Sequence, residues 1–476
     1  MDAQVAVATE QASPARALAE FAAGLCYEDI PTPVLDLAKL LILDALGCGL
    51  AATRYEFAKA TLAGAHALGG DGTCAVIGNA ARLPLRDAAL VNGVLLHGLD
   101  FDDSNFLGIL HPTVACLPAA LGVGQTRGAS GRELLTAYVA GMETAIRIGA
   151  AARGVFHHIG FHATGLVAHF SSAIVAGKLM GLDAAQLISA QGITASTSSA
   201  VQVFLEEGAW TKRLHPAWGA VAGITAATLA QHGFFGPSRA YEGRFGFFET
   251  HLQTHLSDVD YARMIDGLGS DWTLLQTAVK PYPACHFAHG CAEAAIRLHR
   301  RFGFRQDNIT RVVAAIPRET LPIIAEPAGR KQIPANDYDA KFSAQFITAA
   351  CLLRGRFGLA ELESEALRDP EILALAARVE CAADPDTAFP EFNSGGVSVT
   401  MRDGSTHREY VRVNLGMGDR AMSAADITAK YRASASLAFP GAQVDRLERV
   451  VLHLEDANAE ALASAVSVRP GTSRVI

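Results

Sequence analysis

"SGRELLTAYVAGMETAIRIGA" (residues 130–150) decides the fold class. Ser130 and Glu133 stand at capping-box spacing, ahead of an apolar stripe of Leu135, Val139, Met142 and Ile146. The hydroxyl satisfies a free N–H of the first turn and the carboxylate returns the bond, so a helix starts here with one apolar face. Outward from it the pattern repeats. In "VLDLAKLLILDALGCGLAA" (34–52) only Asp36, Lys39 and Asp44 interrupt the apolar residues, as in a mostly buried helix. "GLVAHFSSAIVAGKLMGL" (165–182) and "GAVAGITAATLAQHGFFG" (219–236) carry Gly/Ala faces that permit close helix–helix approach. Residues 1–14 read as a loose tail.

The texture changes at "LGSDWTLLQTAVKPYPACHFAHG" (268–290), where prolines cluster. "TRVVAAIP" (310–317) reads as a strand, and "GVSVTMRDGSTHREYVRVN" (396–414) as a hairpin turning at Asp403-Gly404. Helix returns in "LERVVLHLEDANAEALASAV" (447–466). The expected fold is mainly α: a helical body over 12–270, a smaller α+β insert over 271–413, and a helical return over 414–470. No repeat of 20–50 residues is visible.

Composition sets the outer limits. Of 476 residues, 50% are hydrophobic and 18% charged, which suits a large packed core and leaves little room for disorder. The formal net charge is −8, and no Lys/Arg-rich run exists, so nucleic acid is not an expected partner. The start lacks the pattern of a secretory signal, and no apolar run reaches transmembrane length. The reading is a cytoplasmic protein without membrane partners. The eight cysteines (26, 48, 74, 116, 285, 291, 351, 381) show no paired CxxC spacing and read as buried free thiols.

Polar residues then stand out because charge is scarce. "HGLDFDDSNFLGILHP" (97–112) holds three aspartates between two histidines. Asp102 or Asp103 suits the capping of the next helix, while Asp100 and Ser104 suit proton transfer and the holding of a substrate oxygen. Three ionised carboxylates facing one pocket would repel each other, so at least one is expected to point away. His111 precedes Pro112, a helix-start signal. "GFHATG" (160–165) places His162 between glycines, and "WTKRLHPAWGAVAG" (210–223) puts Lys212, Arg213 and His215 ahead of an apolar helix. The helix dipole disfavours cations there, so a bound carboxylate would account for the lysine. "VKPYPACHFAHG" (279–290) adds Lys280, His286 and His289. His157, His158, His162 and His169 lie close in sequence, but HExxH, CxxC pairs and EF-hand loops are missing, so no metal site is expected. A GxGxxG or phosphate loop after a strand is missing too, so no nucleotide cofactor is expected.

Taken in order, "HGLDFDDSN…HPTVACLPAALG", "GFHATG", "TKRLHPAWGAVAGITAATLAQHGFFGP", "YEGRFGFF" and "KPYPACHFAH" resemble the MmgE/PrpD family over about residues 15–465. That family includes 2-methylcitrate dehydratase, cis-aconitate decarboxylase and iminodisuccinate epimerase. The resemblance implies a large all-helical domain formed by both chain ends, a smaller α+β lid, a homodimer, and catalysis without metal or organic cofactor. It implies a lyase acting on a small di- or tricarboxylate by proton abstraction next to a carboxylate. An epimerase of a substituted succinate is the alternative, since both reactions share that first step; a non-catalytic binding protein of the same fold is the remaining one. The decarboxylase pattern carries over to Asp100, Ser104, His111, His162, Lys212 and Lys280. Ser104 stands where threonine is usual, and the spacer from Ser104 to His111 is one residue longer. Cys285, with His286 beside it, stands where that enzyme has a histidine, and His289 follows. Its lid tyrosine has no counterpart around "IIAEPAGRK" (323–331).

Overall fold

The computed structural model describes residues 13–468. Residues 1–12 of the expected tail, and 469–470 at the end of the expected helical return, lie outside the described residues; the first helix already begins at Pro14. The fold is mainly α, with 23 α-helices and a few short strands among the described residues. No helix is long and apolar enough to cross a membrane among these residues.

The capping box forms as its spacing requires. Glu133 N–H donates to Ser130 Oγ at 3.2 Å, and Ser130 N–H donates to Glu133 Oε2 at 2.8 Å. The helix they start, Gly131–Ala152, is buried on every side from Leu134 onward, where the sequence reading expects one apolar face. Its single internal charge pair explains how. Arg147 Nε reaches Glu143 at 3.2 Å, and the guanidinium donates to the carbonyls of Asp266, Gly267 and Asp271. A buried charge so fully hydrogen-bonded is tolerated, where an unpaired one would not be.

At the centre lies Ala163–Leu179, with every residue to Gly177 buried. Thr211–Gln231 packs along it at short range. A Cβ on Gly219 would lie 2.5 Å from Ala168, and one on Gly223 would lie 2.5 Å from Ala173, so only glycine permits this approach. Pro112–Arg127 and Gly131–Ala152 close the bundle. Near the chain end, Ala424–Ala435 returns to lie on Thr32–Ala52.

The strand predicted over 310–317 is Ile309–Ile316, and the hairpin is Gly395–Met401 with Thr406–Val411. Gly404 in its turn has φ +84°, the left-handed conformation that glycine adopts without strain. A strand that sequence reading missed, Val379–Ala383, pairs parallel to Ile309–Ile316; the other neighbours are antiparallel. His289–Phe302 and Ala344–Arg354 cover this four-stranded sheet. Buried apolar side chains divide into two clusters: one from residues 15–279 and 427–466, the other from residues 284–411 joined by Phe204. Of the eight cysteines, all free, five are buried as expected, but Cys26 is exposed and Cys285 and Cys381 are half-buried.

Candidate active site

A cavity opens where these two apolar clusters meet, lined by Asp100, Ser104, His111, His162, Lys212, Lys280, Cys285 and His286 among others. Eight of the nine residues expected from sequence therefore share one cavity. His289 does not: it is buried behind His286, its ring 4.2 Å away, and its Nε2 faces the Ala284 carbonyl at 3.3 Å.

A two-residue ladder brings the distant segments together. Ser104–Asn105 pairs antiparallel with Thr277–Ala278, and Asn105 Nδ2 donates to Thr273 O and Thr277 Oγ1. This ties the aspartate loop to the segment that carries Lys280. Asp100 has φ +51°, an uncommon conformation for a residue with a side chain, and the turn presents its carbonyl oxygen and Oδ1 to one lysine. Lys280 Nζ donates to the Asp100 carbonyl at 3.0 Å and to Oδ1 at 2.7 Å. Lys212, in the first turn of Thr211–Gln231, reaches the same Oδ1 at 3.0 Å. Burial opposes ionisation of Asp100, but the ammonium groups of Lys212 and Lys280 overcome it and hold the carboxyl well below its usual range. Burial likewise opposes the charge of Lys280, and Asp100 raises its pKa in return.

The other two aspartates serve the scaffold. Asp102 is fully buried and accepts from His97 Nδ1 at 2.8 Å. Asp103 Oδ1 accepts the Thr113 N–H at 3.3 Å in the first turn of Pro112–Arg127, and its Oδ2 bonds the Thr113 hydroxyl. Burial pushes Asp103 up to about 8, with Asp102 adding to the effect against the Thr113 bonds.

His111 is oriented by its surroundings. Its Nδ1 lies 2.6 Å from the Asp103 carbonyl and 3.3 Å from Ser104 Oγ. A carbonyl only accepts, so Nδ1 carries the proton and Nε2 is left with its lone pair. Nε2 lies 3.8 Å from Asp100 Oδ1. Burial holds His111 well below the usual imidazole range, against the pull of Asp102 and with help from the lysines. The spacer between Ser104 and His111 closes into a turn: Asn105 and Leu110 exchange backbone bonds at 2.8 and 3.2 Å, and Ile109 takes φ +52°.

Opposite stands His162, its ring centroid 6.3 Å from that of His111. Its Nδ1 lies 3.2 Å from His215 Nδ1, while its buried Nε2 has no partner. Burial lowers His162 well below its usual range and His215 to about 4. His157 also lines the cavity, held between the Ile109 carbonyl at 2.9 Å and Gln202 Nε2 at 2.8 Å. His97, His157, Thr164, Gln202 and His215 were not among the expected site residues. His97 was visible as the first histidine of "HGLDFDDSNFLGILHP", His215 as a near neighbour of Lys212 and Thr164 as part of "GFHATG"; Gln202 carries no sequence signal. Cys285 and His286 both line the cavity, and His286 Nε2 accepts from Asn414 Nδ2 at 3.0 Å. Ile323, from "IIAEPAGRK", lies in the lining.

One nitrogen each from His97, His111 and His162 lies within 4.8 Å of the others, a spacing that would suit a metal ion. The ammonium groups of Lys212 and Lys280 act on His111, and that of Lys212 on His162 as well, which opposes a further cation there. What the arrangement offers is an imidazole base, a second imidazole, and two fixed cations in a largely buried cleft, a set suited to charge that develops next to a carboxylate.

The MmgE/PrpD N-terminal domain model matches residues 16–259, and the MmgE/PrpD C-terminal domain model matches residues 282–456. The chain is 29% identical over 451 residues to cis-aconitate decarboxylase of Homo sapiens, covering 91% of this chain and 90% of that protein. It is 26% identical over 457 residues to cis-aconitate decarboxylase of Aspergillus terreus, with 92% of each covered. With 2-methylcitrate dehydratase of Cupriavidus necator it shares 26% over 472 residues, 93% of this chain and 92% of that one.

Proposed function

The chain belongs to the MmgE/PrpD family and is an enzyme of the lyase type, and on that premise we propose that it acts without a cofactor on a small polycarboxylate by removing a proton next to a carboxylate. The observation that carries this reading is the 2.6 Å contact of His111 Nδ1 with the Asp103 carbonyl, which keeps the proton on Nδ1 and leaves the lone pair of Nε2 as a base on a residue that lines the cavity. His111 Nε2 takes the C–H proton, and the electron pair moves toward the carboxylate. Lys212 and Lys280 stabilise that charge. In elimination the pair then forms a C=C bond as the C–O bond breaks, and the hydroxyl leaves as water with the proton that His111 Nε2 has just taken, which returns His111 to its neutral form. In this scheme Asp100 holds the two lysines in place instead of serving as the base, because their ammonium groups both engage its Oδ1 and hold its carboxyl well below the usual range, which makes it a weak base.

Two imidazoles on one cavity also support the epimerase alternative, in which His162 returns a proton to the opposite face of the same carbon. Residues 271–413 act in this reading as a lid, contributing Lys280, Cys285, His286 and Phe287 to the lining. A homodimer belongs to the same reading. Trp210, Leu214, Trp218 and Leu229 recur at helical spacing and are all exposed, a stripe suited to a second copy of this chain. Trp218→Glu should then yield a monomer in sedimentation; an unaltered dimer would place the interface elsewhere.

Incubation in deuterium oxide with citrate, 2-methylcitrate, cis-aconitate and substituted succinates, read by NMR, tests the reaction. A new alkene signal supports the dehydratase and loss of CO₂ the decarboxylase. Exchange without net conversion supports the epimerase. Absence of exchange and of conversion across the panel would defeat the reading.

A further inference from the structure

His111 lies between two carboxylates that differ in what surrounds them. Its Nε2 is 3.8 Å from Asp100 Oδ1, and its Nδ1 is 3.9 Å from Asp102 Oδ2. The charge of Asp100 is matched by the ammonium groups of Lys212 and Lys280. Asp102 has no such match. Among the described residues its ion-pair partners are imidazoles alone: His97 at 2.8 Å, and His111. Asp103 spends both carboxylate oxygens on Thr113, but Asp102 uses only one. Its Oδ2 accepts from His97 Nδ1, and its buried Oδ1 has no partner. Burial opposes the ionisation of Asp102, yet His97 and His111 overcome it and hold the carboxyl well below its usual range.

That charge matters when His111 changes state. Nδ1 already carries a proton, so a second one on Nε2 makes an imidazolium in a largely buried cleft. Burial disfavours this cation, and Lys280, Lys212 and His97 add to the penalty; Asp102 offsets it. Asp100 also faces Nε2, and His162 stands 6.3 Å away, ring to ring. His97 packs edge-on against His111 at 4.8 Å and stacks on His162 at 5.5 Å. Neither Asp102 nor His97 lines the cavity, so their effect on a ligand passes through the imidazoles in front of them.

We propose that Asp102 is a positioning residue for this site: its buried carboxylate, held by His97, is the counter-charge to the imidazolium formed when His111 takes the substrate proton. The proton passes from carbon to Nε2, the electron pair stays on the substrate, and Asp102 remains ionised throughout. The inference rests on His111 as the base and deepens that reading.

Steady-state kinetics of the full chain test it, with whichever of citrate, 2-methylcitrate, cis-aconitate and the substituted succinates reacts in deuterium oxide. Asp102→Asn keeps the size of the side chain and removes its charge. It should lower kcat by about tenfold or more and leave KM within about twofold of wild type. An unchanged kcat, or a KM that rises with the loss, overturns the proposal. Where Asp102→Asn fails to fold, two variants of His97 decide. An asparagine amide can donate from the position of Nδ1, so His97→Asn should keep kcat within about threefold, while His97→Leu should lose it as Asp102→Asn does. Equal kcat in the two overturns the proposal. His111→Gln separates the failures. Wild-type turnover there defeats the base assignment and this inference with it. Inactive His111→Gln beside a fully active Asp102→Asn leaves the base standing and removes the counter-charge. Reaction with none of the panel defeats both.

Discussion

Asp100 and Lys280, 180 residues apart, meet twice: one Nζ takes both the backbone carbonyl and Oδ1 of the aspartate. The double contact needs the left-handed backbone of Asp100 and the ladder between Ser104–Asn105 and Thr277–Ala278. Asp100→Asn leaves two buried ammonium groups with no carboxylate between them. Breaking a buried pair costs about 3–5 kcal/mol, and the amide oxygen recovers part of that. The variant is expected to unfold at clearly lower temperature and to turn over more slowly. A melting temperature equal to wild type would show that the lysines do not depend on this carboxylate.

Between about pH 4 and pH 8, stability should be highest near pH 6.5. His169 and His215 sit at about 4 in the fold against an ordinary 6.5, so between these values the unfolded chain binds more protons and stability rises with pH. Asp103 acts in the opposite sense. Its carboxyl sits at about 8 against an ordinary 3.8, so the folded state keeps a proton that the unfolded chain has released. Its contribution falls as pH rises across that window, and above 6.5 the two histidines no longer offset it. Asp103→Asn removes the titrating group, and urea unfolding at about pH 6.5 and about pH 8 should then give nearly equal stabilities. A persistent decline in the variant would assign the slope to another group.

Lys212 and Arg213 are adjacent but differ in task. Lys212 faces the cavity; Arg213 is buried, donates to the Gly98 carbonyl at 2.7 Å, and lies over Phe57 and Tyr338 at 4.2 and 4.3 Å. Lys212→Ala should lower kcat/KM by about a hundredfold or more, the scale of losing one fixed electrostatic donor. Arg213→Ala should lose about 2–4 kcal/mol of stability through its hydrogen bond and ring contacts. Parallel activity and melting measurements separate the two. A reversed pattern would move the anion site off Lys212.

Activity should survive dialysis against EDTA. His97, His111 and His162 approach each other closely enough for a metal, but two ammonium groups act on the same site. Loss of activity in EDTA, restored by added zinc, iron or magnesium, would make these histidines ligands and displace His111 as the base.

Local chemistry made much of this protein legible in its sequence. The Ser130–Glu133 box, the small-residue helix faces and the Asp403-Gly404 turn are interactions among near neighbours, and each formed where its spacing indicated. The candidate residues were legible for a related reason: in a chain with 18% charged residues, clustered Asp, Lys and His stand out. The parallel strand Val379–Ala383 was not legible, because its register depends on Ile309–Ile316, far away in the chain. The division of labour among Asp100, Asp102 and Asp103 was legible only in outline: a pocket position for Asp100 and a capping role for Asp102 or Asp103 could be expected, but not which of the two caps the helix. Three like residues in four positions differ only in what the fold sets against them: two ammonium groups, a histidine, and a helix start. Tertiary structure alone turned His289 out of the cavity while leaving His286 in its lining, and brought His215 onto His162. Desolvation and pairing act through space, so the protonation of these groups was decided by folding and not by their order in the chain.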